Sequence, residues 1–286
     1  MLDLARRLWS KERELRMIWE VAKRGKRSRL VGAAHFFPYH FRRSLRRLIG
    51  EAATVLLEGP LDAQAMRKVI ESGRGEERLS LLDVLDAATV RRINSALGIP
   101  APPLSSFQLY RELVLGDAPE PLAVELKGMK PWMAFLHLWN HIRAKDGWTY
   151  SIDLDAARIA AELGKPVALL ETIEEQIEAL NGIPLDRIVS FFRDVEWESY
   201  GRTYVRHYLE GDLESAMATA RVFPTFCESI VDRRDPLLFE RMSPFLEQGG
   251  ALAFVGVLHC RGIIARLRAR GFDVTGFPRT QLRGNP

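Results

Sequence analysis

Cysteine is nearly missing from this chain: Cys227 and Cys260 are the whole complement in 286 residues. Two cysteines without zinc-finger spacing cannot build a disulfide framework, and they fit a reducing interior. Long apolar runs are missing as well. No stretch approaches the roughly 20 apolar residues of a membrane-spanning helix, and no secretory h-region with a small-residue cleavage site is present near the first residues. The expected protein therefore has no transmembrane segment and a cytoplasmic location. Histidine is scarce, at six residues, so where the histidines fall is informative. No nucleic-acid module accompanies the basic residues, which makes nucleic acid an unfavoured partner.

What is present describes a folded globular chain. Hydrophobic residues make up 47% and charged residues 27%, and the length suffices for a large core, so one α/β domain over residues 1–286 is expected. The formal charge of +4 hides an asymmetry: residues 1–50 carry +10 and residues 261–286 carry +5, leaving −11 for the middle. Basic ends of this kind read as solvated faces of terminal helices. A homo-oligomer is compatible with this composition.

Four apolar runs end on an ionisable residue. Leu30-Val31-Gly32-Ala33-Ala34-His35 and Phe254-Val255-Gly256-Val257-Leu258-His259 each deliver a histidine three residues after a glycine. Val55-Leu56-Leu57-Glu58 and Val167-Ala168-Leu169-Leu170-Glu171 each end on a glutamate. Read as strands, they place His35, Glu58, Glu171 and His259 at one edge of a sheet, where open α/β folds bind ligands. The first and second of these strands in chain order, with the helix around Phe41–Ile49 between them, read as parallel neighbours joined by a right-handed crossover.

The remaining segments are mostly helical. Leu4, Leu8, Leu15, Ile18 and Ala22 recur at helical spacing, which predicts an amphipathic helix over 3–24. Residues 61–147, with Pro100, Pro102 and Pro103, and residues 184–246 read as helical insertions. Asp153 is expected to cap a helix over 154–163, and Thr172 with Glu175 forms a capping box that starts a helix directly after Glu171. His259 is expected to close its strand, followed by a helix over Ile263–Arg270 and a strand over Phe272–Thr275. Trp132, Trp139 and Trp148 read as packing residues. Cys260, next to His259, reads as a small buried hydrophobe ahead of a nucleophile.

Two imidazoles and two carboxylates at one sheet edge suit a divalent ion such as Mn, Co or Zn, and such a site with an open position activates water. The pattern leaves open which glutamate would be ligand and which general base. A peptide or small-molecule substrate is the expected partner.

The chain also resembles the TraB/GumN family, which includes PrgY and the Tiki proteins within an erythromycin-esterase-like and ChaN-like superfamily. The matching elements are Trp19 with Leu-Val-Gly-Ala-Ala-His35, Leu-Leu-Glu58, Lys130-Pro131-Trp132, Ile152-Asp153 and Leu170-Glu171-Thr172 with Glu175-Gln176. Tyr208 with Gly211-Asp212, and Phe254 to His259 with Gly262, complete the series. The resemblance implies a central mixed, largely parallel sheet flanked by helices. It also implies a metal-dependent hydrolase of peptide or amide bonds, with His35, His259, Glu58 and Glu171 as the metal set. Glu58, Glu171 and Arg234 would be its catalytic residues, Arg234 matching an arginine that usually follows a glutamate. Here that preceding residue is Arg233, Ala33-Ala34 stands in place of Thr-x, and Cys-Arg-Gly follows His259 in place of Leu-Pro-Gly. The ChaN-like relatives imply an alternative, a non-catalytic pocket for a haem-type ligand.

Overall fold

In the computed structural model, which describes residues 11–75, 80–99 and 121–276, six strands form one mixed sheet. They are β1 (Ile18–Lys23), β2 (Lys26–Ala33), β3 (Thr54–Leu57), β4 (Val167–Leu169), β5 (Ala251–Gly256) and β6 (Asp273–Gly276), in the order β4-β3-β5-β2-β1-β6. The first four in that order are mutually parallel, and β1 runs antiparallel to both β2 and β6. The run that forms β5 is buried at every position, as expected of a central strand with parallel partners and helices on both faces.

That position corrects one expectation. β2 and β3 are not neighbours, because β5 lies between them and pairs with both, Gly32 opposite Val255 and Leu56 opposite Ala253. The consequence for function survives the correction. With β2, β3, β4 and β5 all parallel, their C-terminal ends still share one edge.

Among the described residues, twelve helices surround the sheet. After β2 comes α1 (Arg42–Glu51), whose Leu45, Leu48 and Ile49 are buried while its arginines face outward. Between β3 and β4 run α2 (Ala63–Ser72), α3 (Ala87–Leu97), α4 (Pro121–Leu126), α5 (Pro131–Lys145) and α6 (Ile152–Glu162). Between β4 and β5 run α7 (Ile173–Asn181), α8 (Leu185–Arg193), α9 (Trp197–Glu210), α10 (Leu213–Ala220) and α11 (Arg234–Gln248), and α12 (Val257–Ala269) joins β5 to β6. These helices supply two apolar cores. One joins the sheet to α1, α6, α11 and α12. The other is built from α3, α4, α5, α7, α8 and the segment Cys227–Val231, with Phe135, Phe191, Phe192 and Trp197 in edge-to-face contact. Leu258, at the start of α12, packs against both. Each fully buried large apolar side chain contributes about 1.5–3 kcal/mol, so the helical cluster is a substantial core in its own right.

Three local expectations are revised. Residues 18–23 of the expected N-terminal helix form β1 instead, and residues 3–10 lie outside the described residues. The physical reason is the two-residue turn Arg24-Gly25, both with positive φ (51° and 78°), which fits the right-handed twist of a hairpin and pairs Lys23 with Lys26. Asp153 is not a cap; Ser151 caps α6, its side chain accepting from the Leu154 N–H, which leaves Asp153 buried in the first turn. His259 does not close a strand. Val257, Cys260, Ile264 and Leu267 follow helical spacing and are all buried, so α12 begins directly after Gly256 and carries His259 in its first turn. The capping box of Thr172 and Glu175 on α7 is present as expected. Pro100, Pro102 and Pro103 lie outside the described residues.

Candidate functional site

Parallel strand ends and a helix N-terminus bring five charged or ionisable side chains together. His35 follows β2 by two residues, Glu58 follows β3 directly, Glu171 follows β4 by two residues, and His259 stands in the first turn of α12. Arg234 opens α11. Its guanidinium grips Glu171 with two bonds, Nε to Oε1 at 2.8 Å and Nη2 to Oε2 at 2.6 Å. The same Nη2 donates to Glu58 Oε2 at 3.0 Å, and Nη1 lies 3.3 Å from His259 Nε2. A backbone bond closes the pair of strands here, Glu171 N–H to the Glu58 carbonyl at 2.6 Å.

Both histidines are fixed through Nδ1. That of His259 is 2.7 Å from Asp235 Oδ1 and that of His35 is 2.8 Å from Asp153 Oδ2. Both aspartates are buried. Asp153 is carried to His35 by the backbone bond from Ile152 N–H to the Ala34 carbonyl. Asp235 reaches His259 across Gly262, where a Cβ would stand only 1.7 Å from Asp235 Oδ2. With Nδ1 engaged, each ring turns Nε2 into the site.

Gly256 is the floor of this cluster. A side chain there would meet Glu58 Oε1 at 3.3 Å, His35 Nε2 at 3.4 Å and the His259 ring at 3.6 Å, and the Gly256 N–H donates to Glu58 Oε1. Above it opens a cavity of about 420 Å³ whose polar end is His35, Arg234 and His259. Its walls are apolar, with Phe36, Trp139, Trp148, Tyr204, Phe223 and Leu258 among them. Trp139 and Trp148 thus pack in the cores and also line the cavity, while Trp132 is buried and donates through Nε1 to Asn181.

A model of the TraB/PrgY/gumN family matches residues 17–276. The chain belongs to this family. The match opens one residue before β1 and closes at the end of β6, so it takes in the whole sheet and the site. A comparison with curated proteins finds no match to the chain.

Within this TraB/PrgY/gumN member, Arg233 does not enter the cluster. Its side chain is 70% exposed and pairs with Glu228 at 3.0 Å, so the departure from the family's glutamate falls on the surface. Cys260 packs beneath the site against Gly32, where a Cβ would lie 3.0 Å from its Sγ. Burial pushes its thiol well above the usual range, which sets it aside as a nucleophile. Burial opposes the charge of Glu58, yet His259, Arg234, His35 and the Gly256 N–H outweigh it and hold Glu58 at about 2. His35 moves the other way. Asp153 is the main cause, raising it to about 9 against the opposing effects of burial and Arg234. Its side chain remains 64% exposed to the cavity, so solvent screens part of that attraction.

Asp153 and Asp235 are the residues that sequence reasoning missed. Asp235 was legible in principle, since it follows Arg234 directly and Gly262 stands three residues after His259, but nothing local marks Asp153 as a partner of His35. Among the described residues, a further group capable of holding an ion lies elsewhere, Glu125 with His137 and His141. No helix among the described residues is long and apolar enough to cross a membrane.

Proposed function

We propose that the chain is a metal-dependent hydrolase cleaving peptide or amide bonds. The observation that carries this reading is the pair of histidines, each anchored through Nδ1 by a buried carboxylate and each presenting Nε2 beside Glu58 over a glycine floor. Carboxylate–histidine pairs of this kind orient imidazoles as metal ligands and raise their basicity. The charge balance supports a cation. Glu58 and Glu171 face the one guanidinium while Asp153 and Asp235 face the two imidazoles, so four carboxylates meet a single permanent cation.

A divalent ion of Mn, Co or Zn would be held by His35 Nε2, His259 Nε2 and Glu58 Oε1, donor types that suit such an ion. Their donor atoms do not form a group within 4.8 Å of one another, so closing around an ion requires a shift, for which the 64% exposed His35 side chain has the room. A bound ion would polarise the scissile carbonyl and lower the pKa of a water.

Glu171 has a different role from the one its strand end suggests. Both its oxygens are taken by Arg234, so it positions the guanidinium. Glu58 is likewise bonded at both oxygens, to Arg234 and to the Gly256 N–H. Neither glutamate is placed as a free proton acceptor. Arg234, held between them at the polar end of the cavity, supplies positive charge where an oxyanion would develop. The apolar walls would receive a hydrophobic side chain of the substrate and exclude water from the polar end.

The deciding experiment is elemental analysis of the purified protein after exchange with Mn, Co and Zn, beside the His35→Ala/His259→Ala variant, followed by a peptide-cleavage screen. The expected result is about one more metal ion per chain in the wild type than in the variant, with cleavage confined to the wild type. Equal metal in both would remove the reading. The apolar cavity favours one further reading, a pocket for a haem-type ligand. Equal metal together with haem binding that is lost on changing a single histidine would establish it.

A further inference from the structure

We propose a second divalent transition-metal site on the outer face of α5, held by His137, His141 and Glu125, which clips α4 to α5. This site is separate from the Gly-x-x-His cluster and does not rest on the hydrolase reading. α5 has two working faces. Phe135, Leu136 and Trp139 turn toward the second core and the cavity, whereas His137 and His141, one helical turn apart, share another side of the helix. Glu125 is brought to them by α4 and the turn through Gly128, whose φ of 71° lets the chain reverse.

The distances would suit a shared ion. Glu125 Oε1 is 2.7 Å from His137 Nε2 and 3.7 Å from His141 Nδ1, and the three ligand atoms all lie within 4.8 Å of one another. In a tetrahedral zinc site with bonds near 2.0–2.1 Å, ligand atoms stand about 3.3 Å apart. One contact is slightly shorter than that and one slightly longer. His137 meets the carboxylate at hydrogen-bond distance and His141 at ion-pair distance, so both imidazoles already converge on Glu125 Oε1, as ligands to a shared ion would. The side chains are 34%, 48% and 34% exposed for His137, His141 and Glu125. An ion can therefore enter from solvent, and water can complete its coordination. Two imidazoles and one carboxylate suit Zn, Co, Ni or Cu, not Ca or Mg.

The test uses the full chain, stripped of metal and titrated with Zn(II) and Co(II), as wild type, His137→Ala/His141→Ala and His35→Ala/His259→Ala. The His35→Ala/His259→Ala variant should still take up metal and rise in thermal midpoint with Zn(II). The His137→Ala/His141→Ala variant should take up about one ion fewer than the wild type and lose the Zn(II)-dependent rise. A third variant, His141→Cys, keeps a metal ligand and should retain uptake while adding a thiolate-to-cobalt absorption band. Cys227 and Cys260 are buried and do not supply that band. Unchanged uptake in His137→Ala/His141→Ala, or no cobalt–thiolate band in His141→Cys, overturns the proposal. Failure of the hydrolase reading looks different, since it leaves His35→Ala/His259→Ala equal to the wild type and does not alter the loss in the other variant.

Discussion

Removing the Arg234 side chain would strand Glu58 and Glu171, whose own side chains are 6% and 0% exposed, with no cation between them. Breaking a buried pair by deleting one partner costs about 3–5 kcal/mol, and we expect a loss of that order in urea unfolding of Arg234→Ala at pH 7. The deficit should also depend on pH. In the wild type, Glu58 is held at about 2 against an ordinary 4.5; its stabilisation is complete above the unfolded value and is lost as pH falls through about 2. His259 contributes most to the attraction and remains in the variant, but the share due to Arg234 is gone and burial favours the neutral acid, so the variant should lose less relative to wild type at pH 4.5 than at pH 7. A deficit independent of pH would exclude this electrostatic account. His35 gives a second expectation at this scale. Held at about 9 in the metal-free protein, it must release a proton to bind an ion, so metal affinity should climb as pH rises from 7 to 9 and then level off. Asp153→Asn should move that climb toward the ordinary histidine range, as measured by cobalt titration at several pH values. His35, Glu58, Glu171 and His259 were legible because each closes an apolar run. Asp153 was not, because its partner is far away in the chain and only the fold joins them, whereas Asp235 stood beside Arg234 with no local sign that it meets His259.

At the level of elements, the position of Glu171 depends on how α7 starts. Thr172 Oγ1 accepts from the Glu175 N–H and Glu175 accepts from the Thr172 N–H, while Arg241 on α11 donates both to Glu175 and to the Leu170 carbonyl. One small network thus ties the strand end, the new helix and the helix that carries Arg234. Thr172→Ala should cost about 1 kcal/mol as a lost N-cap, read as a shift in the urea midpoint. Arg241 and the Thr172 N–H hold Glu175 at about 2, so its contribution is present above 4.5 and declines as pH falls toward 2. The gap between wild type and Glu175→Gln should therefore narrow on acidification. Its size is modest because the side chain is 32% exposed and screened. The capping box was readable since all its residues are local. β1 was not, because helical spacing of Leu15, Ile18 and Ala22 competed with the alternation around Trp19 and Val21, and the Arg24-Gly25 turn settled the contest. Strand order was unreadable for a related reason: β5 is far away in sequence yet lies between β2 and β3.

For the whole molecule, the strand ends and the helix starts beside them supply the polar groups and both cores supply the apolar walls, Phe36, Trp148 and Tyr204 from one and Trp139 and Phe223 from the other, so the cavity lies where the two cores meet at Leu258. The sequence showed helical insertions between the strands without showing that they fold back over the strand ends, since apolar helix faces do not name their partners. This division of labour makes binding separable from chemistry. Ala220, at the end of α10, is 2% exposed and lines the cavity without belonging to the charged cluster. A phenyl ring at this position would project into a space of about 420 Å³, so Ala220→Phe should cost no more than the roughly 1–3 kcal/mol of an overpacked core. Metal content at His35, Glu58 and His259 should be unchanged, whereas binding of an apolar fluorescent probe and cleavage of a hydrophobic peptide should fall at least about tenfold, a difference of ~1.4 kcal/mol. Should the variant retain wild-type probe binding and turnover, the substrate does not occupy this cavity, and the charged cluster must be reached from another side.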